Sequence, residues 1–499
     1  MKLFKYTLTV LTLLIATSCS DDYFEVNSSE TAPTTTSLAP QYRIQGAIEN
    51  TTGTAQYRGV REVLGIMQYG SQNVSNYYSE TWSAEMTNGR YFLWQNAYAY
   101  ALPNTADLIV LGENYDAPNY TAVGKILRAY IFGMTTDQYG AIVTEDTYDG
   151  ESAMNITPKF VTQKEAYKTI LTLLDEAIAE LGETSPIGLN AESGDVLYGG
   201  DQTNWIRFAQ SIKARYLNHL SKKSSGDLAY DADAIIAACQ AGINANAINA
   251  QQNFTGGEAE NQRQPFAVGG YGSSRFDYFS EFFINILKNP LNLDVPLEDP
   301  RLSIIVPEAV NGGYFGVPIG RGLSGESGDN FSLGNGGFYT VPTAPTYMMT
   351  YSEVKFIEAE ARFRKNDLPG AYTAFKEGVL GDMEKLNVPN DEITSYMLLL
   401  DAEIGATNIS LSHIMVQKYI ANMLNPETWV DMRRMDYSAA IYPGLKRPEN
   451  VNLTIFPDEN DWIQAMRYEY NEEDRNYINM PNNDPYVRLT TPLWWNTSE

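Results

Sequence analysis

Residues 162–181 read TQKEAYKTILTLLDEAIAEL, and the fold is decided by how this run is read. Thr162 with Glu165 three positions later is a capping box, in which each side chain satisfies a backbone N–H left open at a helix start. Behind it Ala166, Ile170, Leu173, Leu174, Ala177, Ile178 and Leu181 recur three and four apart. One apolar stripe is thereby held for about four turns, the pattern of a helix packed on one side.

Working outward, residues 205–222 (WIRFAQSIKARYLNHLSK) repeat the period with Trp205, Phe208, Ala209, Ile212 and Tyr216. The Gly/Ser/Asp-rich stretch 182–202 joins the two runs, so they predict a helical hairpin. A second hairpin is predicted over 351–380. There Val354, Ile357 and Ala361 share a face, Asp367, Pro369 and Gly370 interrupt, and Ala371, Ala374, Phe375 and Val379 mark the partner. Asn119 is placed to cap a helix carrying Val123, Ile126, Leu127, Tyr130, Ile131 and Met134. Val416, Ile420, Met423 and Leu424 predict a further long helix ended near Asn425 and Pro426.

Paired helices with small residues at the crossing resemble tetratricopeptide-type repeats, although no strict period of about 34 residues survives. Residues 253–275 and 311–342 are different in character, rich in Gly, Asn, Ser and aromatics and without helical period. The expected fold class is therefore mainly α: a tetratricopeptide-like helical-hairpin scaffold with long irregular loops and few short strands. Loops of that length in a compact protein usually carry function.

The amino terminus says where such a body works. Lys2 and Lys5, the apolar run Leu8 to Ile15 and the small residues Ala16, Thr17 and Ser18 lead into Cys19, the layout of a cleaved export signal. The run is too short to span a bilayer as a stable helix. LLIATSC (13–19) resembles a bacterial lipobox, departing from it at Ala16, where Leu is commoner. Cys19 would then be the lipidated first residue, each buried methylene of its acyl chains adding about 0.8 kcal/mol of membrane affinity. Ser20, Asp21 and Asp22 resemble the acidic tag that some Gram-negative bacteria use to place lipoproteins on the outer face of the outer membrane. Residues 27–40 (NSSETAPTTTSLAP) read as a flexible tether. The expected organisation is a signal peptide at 1–18, a lipidated end and tether at 19–40, and one helical binding domain at 41–499.

Charge excludes other classes. The chain has 35 Lys plus Arg against 61 Asp plus Glu, a net charge of −26. Such a surface repels phosphate backbones and anionic headgroups, which argues against nucleic-acid binding. With Cys19 lipidated, Cys239 has no partner and reads as a small buried apolar residue. The 34 Tyr, 19 Phe and 7 Trp suit helix packing and sugar or peptide surfaces alike.

No catalytic constellation emerges. His219 and His413 sit in helical patterns outside any metal-spaced pair, and both read as structural or surface residues. There is no GxSxG elbow, no phosphate loop and no GxGxxG fingerprint. Glu358 and Glu360 in KFIEAEARF are two apart on a helix and so point to different sides. They are expected to pair with basic neighbours such as Lys355, Arg362 and Arg364, or to face solvent, instead of acting as a catalytic carboxylate couple. Residues 325–335 (GESGDNFSLGN) hold the oxygens of a Ca²⁺ loop but not the EF-hand spacing. No enzyme activity, cofactor or metal is expected.

Several stretches together resemble the SusD/RagB family of surface nutrient-binding lipoproteins. They are residues 94–108 (WQNAYAYALPNTADL), 122–139 (AVGKILRAYIFGMTTDQY) with Gly140, 205–217 (WIRFAQSIKARYL), 299–302 (DPRL), 348–362 (MMTYSEVKFIEAEAR) and 417–434 (QKYIANMLNPETWVDMRR). Residues 465–479 keep Arg467, Tyr468 and Asn476 of a C-terminal family segment but lack its proline. The resemblance implies a non-catalytic lipoprotein on the cell surface. It would sit on a SusC-like TonB-dependent outer-membrane transporter, capture an oligosaccharide or, in some branches, a peptide, and hand it over for import.

A glycan site needs ring faces to stack on apolar CH surfaces and polar groups to bond hydroxyls. Two regions supply both: 72–91, with Tyr77, Tyr78, Trp82 and Tyr91 among Asn73, Asn76, Glu80 and Asn88, and 262–278, with Tyr271, Phe276 and Tyr278 beside Arg263 and Arg275. The alternative for each aromatic is packing between helices, and Trp94 and Trp205 are assigned to the core on that ground. Tyr314, Phe315 and Tyr339 of the third loop are secondary candidates, since that loop could equally face the transporter.

Overall fold

The capping box forms as the residues dictate. Glu165 N–H donates to Thr162 Oγ1 while Thr162 N–H donates to the Glu165 carboxylate, and the helix runs Gln163–Glu180. The computed structural model describes residues 38–71, 78–83, 92–145, 155, 157–267, 278–309, 311–322 and 336–498. Its helices of eight or more residues are numbered here in chain order: α1 Leu102–Asn114, α2 Pro118–Tyr139, α3 Gln163–Glu180, α4 Gln202–His219, α5 Ala232–Ala241, α6 Glu281–Lys288, α7 Tyr351–Arg364, α8 Leu368–Lys385, α9 Asn390–Glu403, α10 Leu411–Ala421 and α11 Glu427–Arg434. Four short strands are β1 Gly70–Ser71, β2 Ala250–Gln252, β3 Tyr278–Phe279 and β4 Thr346–Met349, pairing antiparallel as β1 with β3 and β2 with β4.

Both predicted hairpins are present, α3–α4 and α7–α8, and α1–α2 adds a third closed by a three-residue turn. They stack in sequence: α2 lies against α1 and α3, α4 against α3, α5 and α7, and α7 against α8 and α10. Small residues set the crossings. A Cβ on Gly112 of α1 would stand 2.7 Å from the backbone nitrogen of Thr121, and one on Gly133 of α2 would overlap the ring of Tyr216 on α4. The connection 182–202 is organised by Asp195, whose carboxylate accepts from the N–H groups of Leu197, Tyr198 and Gly200 and from Trp205 Nε1.

Two boundaries differ from the expectation. Helix α2 starts at Pro118, with Ala117 at its cap, so Asn119 lies inside the first turn. Proline at the first helical position has a preset φ and no N–H to satisfy, and it fixes the start without a side-chain cap. Asn119 instead fastens the 182–202 connection, donating to Ile187 O and accepting from Ser185 Oγ. Downstream, α10 ends at Ala421, Leu424 takes a left-handed φ of 59°, and a separate helix α11 starts after Pro426. The helix expected to end near Asn425 and Pro426 thus stops short of them, and Met423 and Leu424 lie in the turn that leads into α11.

Large side chains fill the interior: Trp94, Trp205, Trp429 and Trp495 are buried, and Cys239 is buried as expected. Charge is buried as well. Arg215 on α4 pairs with Glu353 on α7 at 2.7 Å, and Arg434 on α11 pairs with Glu360 on α7 at 2.7 Å and with Asp431 at 2.5 Å. A second buried group centres on Arg301, which meets Asp299 at 2.6 Å and Asp382 on α8 at 2.7 Å and also donates to Gln417 on α10. Burial works against the charged form of Glu360, yet Arg434 and Arg364 hold its carboxyl well below the usual range. As anticipated, Glu358 and Glu360 are committed to ion pairs, Glu358 with Lys355 and Arg362 and Glu360 with Arg364. Leaving one such partner alone in the interior costs about 3–5 kcal/mol, so these pairs fix how the helices sit against one another.

Candidate ligand-binding site

The two aromatic-rich regions picked out in the sequence meet at their stems. Ser71 of β1 pairs with Tyr278 of β3, and Gly70 pairs with Phe279. The third loop joins at the same place: Ser280 and Val317 form a bridge, with Val317 N–H donating to Phe279 O and Glu281 N–H donating to Val317 O. Glu80, 1% exposed, completes the junction by accepting from Gly320 N–H at 3.0 Å and from Ser71 Oγ at 3.3 Å.

This junction rests on the helical scaffold through aromatic packing. Tyr69, next to β1, stacks on Tyr419 of α10 with ring centroids 4.6 Å apart and meets Phe283 of α6 edge-on at 5.2 Å. Tyr419 in turn donates to the carbonyls of Met67 and Gln68. Such ring pairs add about 0.5–1.5 kcal/mol each beyond their buried area. From the other side, Asn450 donates to Gly320 O at 2.6 Å and Asn452 N–H donates to Thr81 O at 2.8 Å. This clamp leaves no mark in the sequence, because asparagines in an aperiodic segment carry no signal of a long-range contact.

Individual candidates fare differently. Trp82 has no exposed surface; its indole sits edge-on to Phe456 at 5.2 Å and tilted against Trp462 at 5.4 Å. This corrects the expectation that Trp82 offers a ring face to a ligand: it plugs the core beneath the junction. Tyr278 is half-buried on β3 at the junction itself. Arg263 is half-buried and donates through Nε to Gly257 O at 2.5 Å, in a loop tied to Pro342 and not to the β1–β3 pairing. Asn73, Tyr77, Tyr91, Tyr271, Arg275 and Phe276 lie outside the described residues, as do Cys19, the 325–335 loop and the side chain of Tyr78. Of the secondary candidates, Phe315 is 46% exposed, Tyr314 is half-buried and Tyr339 is buried.

Among the described residues one cluster has metal-like composition, Asp137, His219 and Glu427, all buried. Its chemistry does not fit a metal. His219 Nε2 lies 2.7 Å from Glu427 Oε1, and Nδ1 lies 2.8 Å from the Tyr167 hydroxyl and 3.4 Å from Asp137. The carboxylates thus flank opposite ring nitrogens. Burial disfavours the cation, but Glu427 and Asp137 outweigh it and raise the His219 pKa to about 9. At neutral pH both nitrogens carry protons, and no lone pair is left for a ligand bond. His219 is a structural imidazolium. His413 caps α10, its Nδ1 accepting from Ser410 N–H at 3.2 Å.

A stack of helical hairpins tied together by buried ion pairs, with loop stems gathered on a β junction, defines a scaffold that presents loops. The chain belongs to the SusD-like family described as starch-binding associating with outer membrane, whose model matches residues 28–456. Among solved structures it is similar to a SusD homologue from Parabacteroides distasonis (TM-score 0.72, 19% identity, covering 92% of this chain and 99% of that one). It is also similar to a SusD/RagB family protein from Bacteroides thetaiotaomicron (0.71, 21%, 93% and 100%) and to a chitin-binding SusD homologue from Flavobacterium johnsoniae (0.70, 19%, 92% and 99%). At these identities the structural likeness carries the fold. No curated protein matches the chain.

Proposed function

We propose that this protein is a non-catalytic outer-membrane lipoprotein that captures an oligosaccharide with the loops rooted at the β1–β3 junction. The carrying observation is the convergence of three aromatic-rich segments on one rigid junction, in a chain whose family is described as starch-binding and associated with the outer membrane. Stacking rings supply affinity for the CH faces of sugars, and the scaffold holds the stems at which the aromatic-rich segments begin and end. In this reading Cys19 carries the acyl anchor, residues 19–40 are a tether, and the captured chain passes to a SusC-like TonB-dependent transporter. No bond of the ligand is broken.

Calorimetric titration of residues 40–499 against starch-derived and chitin-derived oligosaccharides and against peptides of matched length tests the reading. Heat with an oligosaccharide and none with peptides is expected. Heat with peptides alone moves the protein to peptide capture, and release of reducing ends from a polysaccharide overturns the non-catalytic reading.

A further inference from the structure

A second recess lies away from the β1–β3 junction. Helix α6 starts beside β3 and runs for eight residues, about 12 Å, before the chain reaches it. There residues 297–300, Leu302, Ser303, Tyr314 and the first half of α9 line an open cavity of 420 Å³. Leu297, Pro300 and Leu302 give it an apolar wall, Tyr314 and Tyr396 give it rings, and Ser303 and Ser395 give it hydroxyl groups.

Its charge is one-sided. Glu298, Asp391 and Glu392 line it, and no Lys or Arg does. Asp299 also lines it, but its carboxylate is committed to the buried Arg301 at 2.6 Å. The cation beside it, Lys288, does not line the cavity and is held on the backbone of Tyr314, donating to Tyr314 O at 2.7 Å with its ammonium 5.4 Å from the Phe315 ring. Asp391 and Glu392 are also favoured by the start of α9, where the helix dipole welcomes negative charge. Glu298 precedes the 299–302 turn and has no such role.

A metal ion is a poor occupant. Chelation needs carboxylate oxygens converging on one point at 2.3–2.6 Å. Among the described residues only Asp137, His219 and Glu427 bring three such ligand atoms within 4.8 Å of one another, so the acids of this cavity stand too far apart. What suits dispersed carboxylates, ring faces, an apolar wall and hydroxyls together is an extended ligand with a CH face, hydroxyl groups and ammonium groups.

We propose that this cavity binds the protonated amine of an amino-sugar oligosaccharide, as a site separate from the junction loops. The choice of a sugar as the amine's carrier rests on the glycan reading above, whereas the preference for a cation rests on the cavity alone. The discrimination is electrostatic, so it weakens as salt rises.

The test titrates the intact protein at pH 6 with a glucosamine hexamer, its fully N-acetylated counterpart, a neutral glucose hexamer, a Lys-rich peptide and spermine. The amine-bearing sugar is expected to bind at least tenfold more tightly than the acetylated one, with the advantage shrinking in 0.5 M salt. The double variant Glu298→Gln, Glu392→Gln is expected to abolish that advantage and to leave binding of the neutral sugars unchanged. Both side chains are exposed, and unfolding of the variant would show in its melting curve. Ser395→Lys, which puts a cation at the cavity mouth, supplies an independent block with the same expected loss. Equal affinity for the two amino-sugar hexamers, or an advantage that survives both variants, overturns the proposal. So does stronger binding of the peptide or spermine than of the amino sugar. Loss of neutral-sugar binding in the unaltered protein would strike the glycan reading and leave the cation preference to be judged by the amine arms.

Discussion

His219 shows how a single residue couples charge to the fold. Its imidazolium is held between Asp137 and Glu427, and its pKa is raised from the ordinary 6.5 to about 9. A group with a raised folded-state pKa stabilises fully below its unfolded value and loses that contribution as pH climbs through the folded one. Stability should therefore fall between about pH 6.5 and 9, by on the order of 3 kcal/mol from this residue. Melting temperatures across that range check it, and His219→Gln should flatten the slope while lowering stability throughout; an unchanged slope in the variant would assign the pH response elsewhere. Glu80 makes a second prediction at this scale. Glu80→Ala leaves Gly320 N–H without its acceptor, which should cost about 1–3 kcal/mol and weaken oligosaccharide binding, whereas Glu80→Gln keeps an oxygen there and should restore most of both. Urea denaturation and titration of the two variants decide it.

At the scale of elements, the helices were legible where short-range chemistry is strong. The Thr162 capping box and the stripe of α3 are local statements, and each is realised; the break between α7 and α8 is there too, but at residues 365–367, with Pro369 and Gly370 inside the first turn of α8 instead of interrupting it. The misread start at Asn119 involves a proline whose backbone preference outweighed a side-chain signal, whereas the helix expected to end near Asn425 and Pro426 stops short at Ala421, where the chain turns through the left-handed Leu424. The site was legible only in part. Aromatic composition marked the right regions, but whether a ring packs or presents is a three-dimensional fact, and Trp82 lies under the junction because Phe456 and Trp462, far along the chain, close over it. The Asn450 and Asn452 clamp left no pattern at all. Crossings are equally invisible to periodicity, and Gly133 illustrates their cost. Gly133→Ala should destabilise the protein by about 1–3 kcal/mol, because the new methyl group meets the Tyr216 ring at a packed interface. Denaturant midpoints measure this, and a neutral result would mean that α2 and α4 separate more easily than their packing indicates.

For the molecule as a whole, the family-like stretches between 122 and 434 each contribute a side chain to a buried ionic cluster: Asp137, Arg215, Arg301, Glu353 and Glu360, and Lys418 with Glu427, Asp431 and Arg434. These stretches thus tie the helical scaffold together. Outside it, the proposed anchor predicts that the full chain fractionates with membranes and incorporates labelled palmitate, and that Cys19→Ala does neither. The central claim is that ligand is held where the loop stems meet. Hydrogen–deuterium exchange with and without a bound oligosaccharide tests it most directly. The account predicts slowed exchange at residues 70–71, 78–82, 278–280 and 317–320, with α7 and α8 unchanged; protection confined to the helical hairpins, with none at those stems, would contradict it.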